Sequence, residues 1–222
     1  MTKILAIDTS THACSAALYI DGCVEERYKY APRLHGELLL DMVDDLLSSK
    51  HITLDAIDAL AYGCGPGSFT GVRMAASVMQ GLVLGVQKPV IAVSSLLALA
   101  DGLYQCLGYG QIACAFDARM NEVYWAAYQF SNGEWVAAVP DCVIAPEQIS
   151  SLPQGDWVGV GDGWTRYAQE LGEKTGIKDS YARFYPHAAN IASLAASRYL
   201  QGDYQEVAFS TVLPVYLRNK VV

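Results

Sequence analysis

Positive charge is scarce in this sequence: 15 lysines and arginines stand against 23 aspartates and glutamates in 222 residues, a formal net charge of −8. Affinity for a nucleic-acid backbone comes mainly from basic side chains neutralising phosphates, so a dominant, unaided grip on RNA is excluded. Any contact with RNA needs a basic partner or a local patch. Charge of either sign reaches only 17 % of residues while 52 % are hydrophobic, which excludes disorder as the dominant state. The length suits one large domain or two lobes, either with a real core. C-x-x-C pairs are also missing. Cys14, Cys23, Cys64, Cys106, Cys114 and Cys142 are scattered, with no histidine at metal-ligand spacing, and are expected to be reduced core thiols of a cytoplasmic protein. The uncharged stretch Met74 to Gln87 falls short of the roughly 20 residues that cross a bilayer. The apolar run between Lys3 and Asp8 is too short for a signal-peptide core. No membrane span and a cytoplasmic location are therefore expected. His12, His35, His51 and His187 belong to no H-x-x-x-H, H-E-x-x-H or triad spacing, and read as surface or capping residues.

What is present is strongly patterned. Apolar runs at 3–8 and 13–20 flank the polar stretch Thr9-Ser10-Thr11-His12, and Asp21-Gly22 supplies a hairpin turn before 23–30, predicting three antiparallel strands. Residues 36–50 place Leu39, Met42, Val43, Leu46 and Leu47 on one stripe, with Glu37, Asp41, Asp44 and Asp45 largely opposite, predicting an amphipathic helix. A buried strand at 57–62 leads into Gly65-Pro66-Gly67-Ser68-Phe69-Thr70-Gly71 and a helix to about Val86. A strand at 89–93 and a helix through Leu96, Leu99, Ala100 and Leu103 follow. After Gly108 and Gly110 the opening recurs: Ala113 to Asp117 echoes Ile4 to Asp8, and Asn132-Gly133 supplies the turn. A short helix at 146–151, a strand at 157–160 and helices at 164–174 and 187–201 complete the reading. The order predicts two related α/β lobes, 1–107 and 108–222, joined near 104–111.

The glycine-rich segment permits close approach of backbone or ligand, and Ser68 or Thr70 can cap the following helix. A free helix N-terminus is an anion site, yet the segment lacks the lysine of a phosphate-cradling G-x-x-x-x-G-K-[ST] loop. Arg73 is the only charge between Asp58 and Lys88 and opposes the helix dipole there. It is either a solvated surface residue or paired with a ligand phosphate or a carboxylate of this chain or another. The helix from 71 to 86 mixes Gly71, Ala75, Ala76, Ser77, Gly81 and Gly85 with Val72, Met74, Val78, Met79, Leu82 and Val83. Such a helix must be covered on more than one face: by the sheet, and by helix 36–50 or a protein partner. Asp8, Asp117, Arg119 and Glu122 suit metal or phosphate chemistry, while Asp117-Ala118-Arg119 at a strand end equally suits a salt-bridged turn.

A strand ending in aspartate, a polar hairpin turn and a duplicated βββαβα unit resemble the actin, hexokinase and Hsp70 superfamily, whose two hairpin turns grip phosphates across a cleft. More specifically, Ile4-Leu5-Ala6-Ile7-Asp8-Thr9-Ser10, Gly65 to Gly71 with Val72-Arg73, Asp117-Ala118-Arg119 with Glu122-Val123-Tyr124, and Pro214-Val215-Tyr216-Leu217-Arg218 resemble the bacterial TsaB (YeaZ) family. The resemblance implies a two-lobed actin-like, Hsp70-like ATPase (ribonuclease H-like) fold, each lobe a mixed sheet flanked by helices. It also implies a cytoplasmic, non-catalytic partner of the tRNA threonylcarbamoyl transferase TsaD, joined by the ATPase TsaE and touching tRNA only indirectly. In the catalytic paralogue the strand after the glycine-rich helix leads into an H-x-x-x-H metal pair; here Ser95 and Leu99 stand at those positions, so no metal is expected. The expected partner surface is Leu39, Met42, Val43, Leu46, Arg73, Met74 and Val78, through which two copies pair when TsaD is absent. Asp8, Thr9, Ser10, Gly65, Gly67, Ser68 and Arg73 are the candidates for nucleotide contact, with ATP or ADP at the partner interface. The alternative is an ATP-dependent phosphotransferase of the same superfamily, with Asp8, Thr9, Ser10 and Asp117 around the phosphates. A proteolytic function lacks a nucleophile, base and metal set.

Overall fold

A computed structural model of the chain describes residues 1–204 and 211–218. The first sheet begins as expected. β1 (Lys3–Asp8), β2 (Ala13–Ile20) and β3 (Cys23–Tyr30) form an antiparallel meander, turned at Asp21-Gly22 where both residues take positive φ. α1 (His35–Ser49) follows, then β4 (Ala59–Gly65), α2 (Phe69–Val86), β5 (Val90–Ser94) and α3 (Ser95–Leu107). β4 and β5 add in parallel beside β1, giving the order β3-β2-β1-β4-β5.

The second sheet repeats this plan. β6 (Gln111–Arg119), β7 (Glu122–Ser131) and β8 (Glu134–Ile144) form a meander turned at Asn132-Gly133, and β9 (Val158–Val160) and β10 (Ser180–Tyr181) extend it in parallel. Its order is β8-β7-β6-β9-β10, strand for strand the order of the first. The helix expected at 164–174 is two pieces, α4 (Gly163–Arg166) and α5 (Ala168–Thr175), because Tyr167 between them leaves the helical region at φ −120° and ψ 27°. The stretch near 146–151 is a single 3₁₀ turn, Pro146–Gln148.

Alternation in β1, β2 and β4 covers both faces of the first sheet. One face, with Leu5, Ile7, Leu18, Leu60 and Tyr62, packs against Leu39, Val43 and Leu46 of α1 and Ala75, Ala76, Met79 and Val83 of α2. The other, with Ile4, Ala6, Ala17, Ala59 and Ala61, packs against Ala188, Ile191, Ala192, Ala195 and Ala196 of α6 (Ala188–Leu200). Alanines and glycines on both sides let the helix backbone lie close to the sheet.

This placement of α6 corrects the expected division at 107/108. The compact units are Met1–Ala98 with Pro186–Val215, and Leu99–Tyr185 with Tyr216–Val222. The last helix returns to the first sheet because that sheet's second apolar face needs a cover. Polar groups fix the docking: Ser15 Oγ accepts the Ala188 N–H at 2.9 Å, and Glu26 accepts the Ala189 N–H at 3.1 Å while its other oxygen meets His187 Nδ1 at 2.8 Å. Two orphan amides of the helix start are thus met from β2 and β3. Among the cysteines, Cys14, Cys64 and Cys114 are buried as expected, but Cys23 and Cys106 are exposed. Cys23 borders a hairpin turn and Cys106 lies in the last turn of α3, so neither reaches a core.

Candidate functional site

The carboxyl ends of β1 and β4 bring most of the candidate residues together. Asp8, Thr9 and Ser10 are fully buried. Ser10 donates twice to Asp8 Oδ1, from its amide at 3.1 Å and its hydroxyl at 2.9 Å. Asp8 Oδ2 has no hydrogen-bond partner. The glycine-rich loop closes over this turn: the Ser68 N–H donates to the Ser10 carbonyl at 2.7 Å, and the Thr9 hydroxyl donates to the Gly71 carbonyl at 2.7 Å. A Cβ on Gly67 would lie 2.3 Å from the Ser10 carbonyl oxygen, and one on Gly71 would lie 1.9 Å from that of Thr9. Those glycines exist so that two stretches of backbone can touch. Gly65 takes φ +106°, and its bond to Pro66 is cis. Ser68 caps α2 by accepting the Gly71 N–H at 3.2 Å.

Asp8, Thr9 and Ser10 are thus engaged by protein groups, and the glycine-rich segment packs on them as a turn. Gly65 lies off this closure: a Cβ there would lie 3.4 Å from the Val215 carbonyl oxygen and from a Val72 methyl. Burial pushes the Asp8 carboxyl up to about 7, against the opposing pull of its hydrogen bonds from Ser10 and of His187. Burial likewise raises the Cys14 thiol to about 11, with the Asp8 charge adding to it.

Arg73 is exposed on the first turns of α2, and its guanidinium stacks over the Phe69 ring, 3.4 Å from the centroid. An aromatic face was not among its expected partners; the i, i+4 spacing on one helix supplies it. Of the expected partner surface, Leu39, Val43 and Leu46 are 1 %, 5 % and 0 % exposed, so these three are core residues of this chain and are corrected out of the surface. Met42, Met74 and Val78 remain half-buried. The exposed apolar residues of this region are Leu34, Leu40, Phe69 and Leu84, which the sequence reading passed over because they lie off the main stripe. α2, which extends past the uncharged run to Phe69, is long and apolar enough, by length and composition alone, to cross a membrane; in this fold it packs on the sheet with 33 % of its 18 residues buried. Its outward side carries Ser77, Gly81, Leu84 and Gly85, and a Cβ on either glycine would meet nothing within 4 Å.

In the second unit Asp117 ends β6 as Asp8 ends β1. It is salt-bridged to Arg119 at 3.1 Å and Arg166 at 3.3 Å, and its other oxygen accepts the Arg119 N–H at 2.8 Å. Arg119, Met120 and Asn121 all have positive φ, 63°, 55° and 58°. Arg218 holds this turn, donating to the Ala118 carbonyl at 3.1 Å and pairing with Glu122.

Comparison with known proteins agrees with this architecture. The family model TsaD, tRNA N6-adenosine threonylcarbamoyltransferase, matches residues 29–222. The chain is 42 % identical over 225 residues to the tRNA threonylcarbamoyladenosine biosynthesis protein TsaB of Escherichia coli K12, covering 99 % of this chain and 96 % of that one. It is 38 % identical to the TsaB of Haemophilus influenzae, covering 98 % and 94 %. The chain belongs to the TsaB family. The solved structure of YeaZ from Pseudomonas aeruginosa superposes with a TM-score of 0.91 at 43 % identity, covering 98 % of this chain and all of that one, and shares its actin-like, ribonuclease H-like fold.

Within this TsaB-family chain, the two positions that the resemblance set against a metal pair, Ser95 and Leu99, sit on α3. Leu99 is fully buried and has no donor atom, and Ser95 is fully buried with its hydroxyl unpartnered. These residues do not fit a metal ion, which takes imidazole or carboxylate donors in such sites. Among the described residues, no group of three His, Cys, Asp or Glu stands close enough to hold one.

Proposed function

We propose that this chain serves tRNA threonylcarbamoyladenosine biosynthesis as a non-catalytic subunit that binds a TsaD-like transferase, with a TsaE-like ATPase joining the assembly in the cytoplasm. The pathway is carried by the relatives' names and by near-complete coverage of both chains. The reading of the mode of action is supported by one observation: α2 buries one face on its own sheet and leaves Leu84, Gly81 and Gly85 exposed, flanked by half-buried Met74 and Val78. A contiguous apolar face rimmed by polar residues marks an interaction site, and small residues let a second helix approach closely. A second copy covers the same face when the transferase is absent. tRNA is reached through the partner, since this chain's charge is −8. Any ATP or ADP in the assembly sits at the interface with the partner.

The test is titration calorimetry of the chain against the TsaD-like protein of the same cell. Leu84→Glu and Val78→Glu each bury an unpaired charge in the complex and should weaken binding at least tenfold. Leu84 is 65 % exposed, so Leu84→Glu should keep the wild-type melting temperature. Wild-type affinity in both variants overturns the surface. Threonylcarbamoylated RNA made by this chain alone overturns the non-catalytic reading, and ATP turnover lost in Asp8→Ala establishes the phosphotransferase alternative.

A further inference from the structure

Beneath the glycine-rich loop lies a polar knot that the partner face does not use. Its centre is the Asp8 carboxyl. Solvent does not reach it, Oδ1 takes both Ser10 hydrogen bonds, and Oδ2 takes none. Gly63 forms the floor: a Cβ there would lie 1.9 Å from Oδ2 and 3.2 Å from Ile191. The roof is the docked pair of loops, held by the Ser68 to Ser10 and Thr9 to Gly71 hydrogen bonds. The second oxygen is buried and no protein group donates to it.

The surrounding charges do little to compensate an ionised Asp8. His187, at the start of α6, favours the charge, but Glu26 on β3 opposes it and is itself engaged with His187 at 2.8 Å. Tyr28 on β3 and Cys14 on β2 are held neutral, each pushed up mainly by burial. Residues 59–72, which span β4, the glycine-rich loop and the first turn of α2, contain no charged side chain. A carboxylate in this knot would lack the donors that a buried charge requires.

We propose that Asp8 is a proton-operated latch: while its carboxyl is neutral the Thr9–Ser10 turn stays locked on the glycine-rich loop, and ionisation unlocks the two so that Oδ2 gains water. The proton sits on Oδ2, the oxygen that no donor reaches. Unlocking frees Ser68, which caps α2, so the latch acts on the first turn of the helix that carries the partner face. It goes beyond the proposed function and does not depend on it, because the knot is internal to this chain.

The sign follows from proton counting. The locked carboxyl titrates near 7 and the open one near its ordinary 3.8. Between those values the locked form keeps a proton that the open form has lost, so the open fraction rises about tenfold per pH unit; above about 7 both forms are ionised and the dependence vanishes.

Amide hydrogen exchange on the full chain, followed by NMR from pH 5 to 8.5 and corrected for intrinsic base catalysis, tests this. Protection of the Ser68 amide should fall about tenfold per pH unit up to about pH 7 and then level off. It should remain below that of Ala61 in the middle of β4, which exchanges only on global unfolding. In Asp8→Asn the Ser68 protection should be independent of pH. Ser10→Ala, which removes a hydrogen bond that favours the ionised carboxyl, should move the break to higher pH and serves if Asp8→Asn does not fold. A flat wild-type profile, an unchanged slope in Asp8→Asn, or Ser68 exchanging no faster than Ala61 overturns the latch.

Discussion

Replacing Leu46 with alanine separates the chain's own core from its partner face. Leu46 is fully buried on α1 among Leu39, Val43 and the α2 side chains that cover the first sheet. The truncation removes the equivalent of three methylenes, worth about 2.4 kcal/mol at roughly 0.8 kcal/mol each. The cavity left behind adds to this, because helices clamped on a sheet relax only partly, and the total comes to about 3–4 kcal/mol. With an m-value of about 2–3 kcal/mol/M, the urea midpoint should drop by about 1–2 M. Leu84→Ala, at a site 65 % exposed, should stay within about 0.5 kcal/mol of the parent. Affinity for the TsaD-like partner should respond in the opposite order: unchanged within about threefold for Leu46→Ala where the protein is folded, and weakened for Leu84→Ala. A Leu46→Ala midpoint within about 0.3 M of the parent would refute the assignment of the α1 stripe to the core.

Two further outcomes test how distant segments are tied down. Ser15→Ala leaves the buried Ala188 N–H without its acceptor, now at 2.9 Å, and should cost about 1–3 kcal/mol in urea unfolding; a loss below about 0.5 kcal/mol would show that α6 docks by apolar contact alone. Arg218→Ala removes the guanidinium that holds the left-handed turn at Arg119 to Asn121, and tryptic cleavage after Arg119 should accelerate several-fold; an unchanged rate would mean that the turn holds itself.

Local chemistry made most of the fold readable from the chain. The Asp21-Gly22 and Asn132-Gly133 turns set two hairpins, Ser68 set the start of α2, and the recurrence of a strand ending in aspartate corresponds to two sheets of identical strand order. What escaped reading is non-local. Ser15 and Glu26 lie more than 160 residues from the helix start that they meet, and nothing in the local pattern of 187–201 says which sheet it will cover. The same limit explains the partner surface. An amphipathic stripe reveals that Leu39, Val43 and Leu46 share a face, but not whether that face meets the chain's own sheet or another molecule. The sheet took it, and the apolar residues left exposed, such as Leu34, Leu40 and Leu84, are the off-stripe ones. The glycine-rich segment is open to two readings for a related reason: glycine permits close approach to a phosphate or to a carbonyl, and here Gly67 and Gly71 meet the carbonyls of Ser10 and Thr9.

The duplicated plan also allows each unit to serve as a control for the other. Each places an aspartate at the end of its first strand, where the fold would let a carboxylate handle a cation or phosphate. In the first unit Asp8 is sealed under a backbone-to-backbone contact and is driven toward its neutral form by burial. In the second, Asp117 is left partly open, with its side chain 12 % exposed, but is committed to Arg119 and Arg166. Burial in the one case and ion pairing in the other are thus two different ways in which the fold engages equivalent carboxyls.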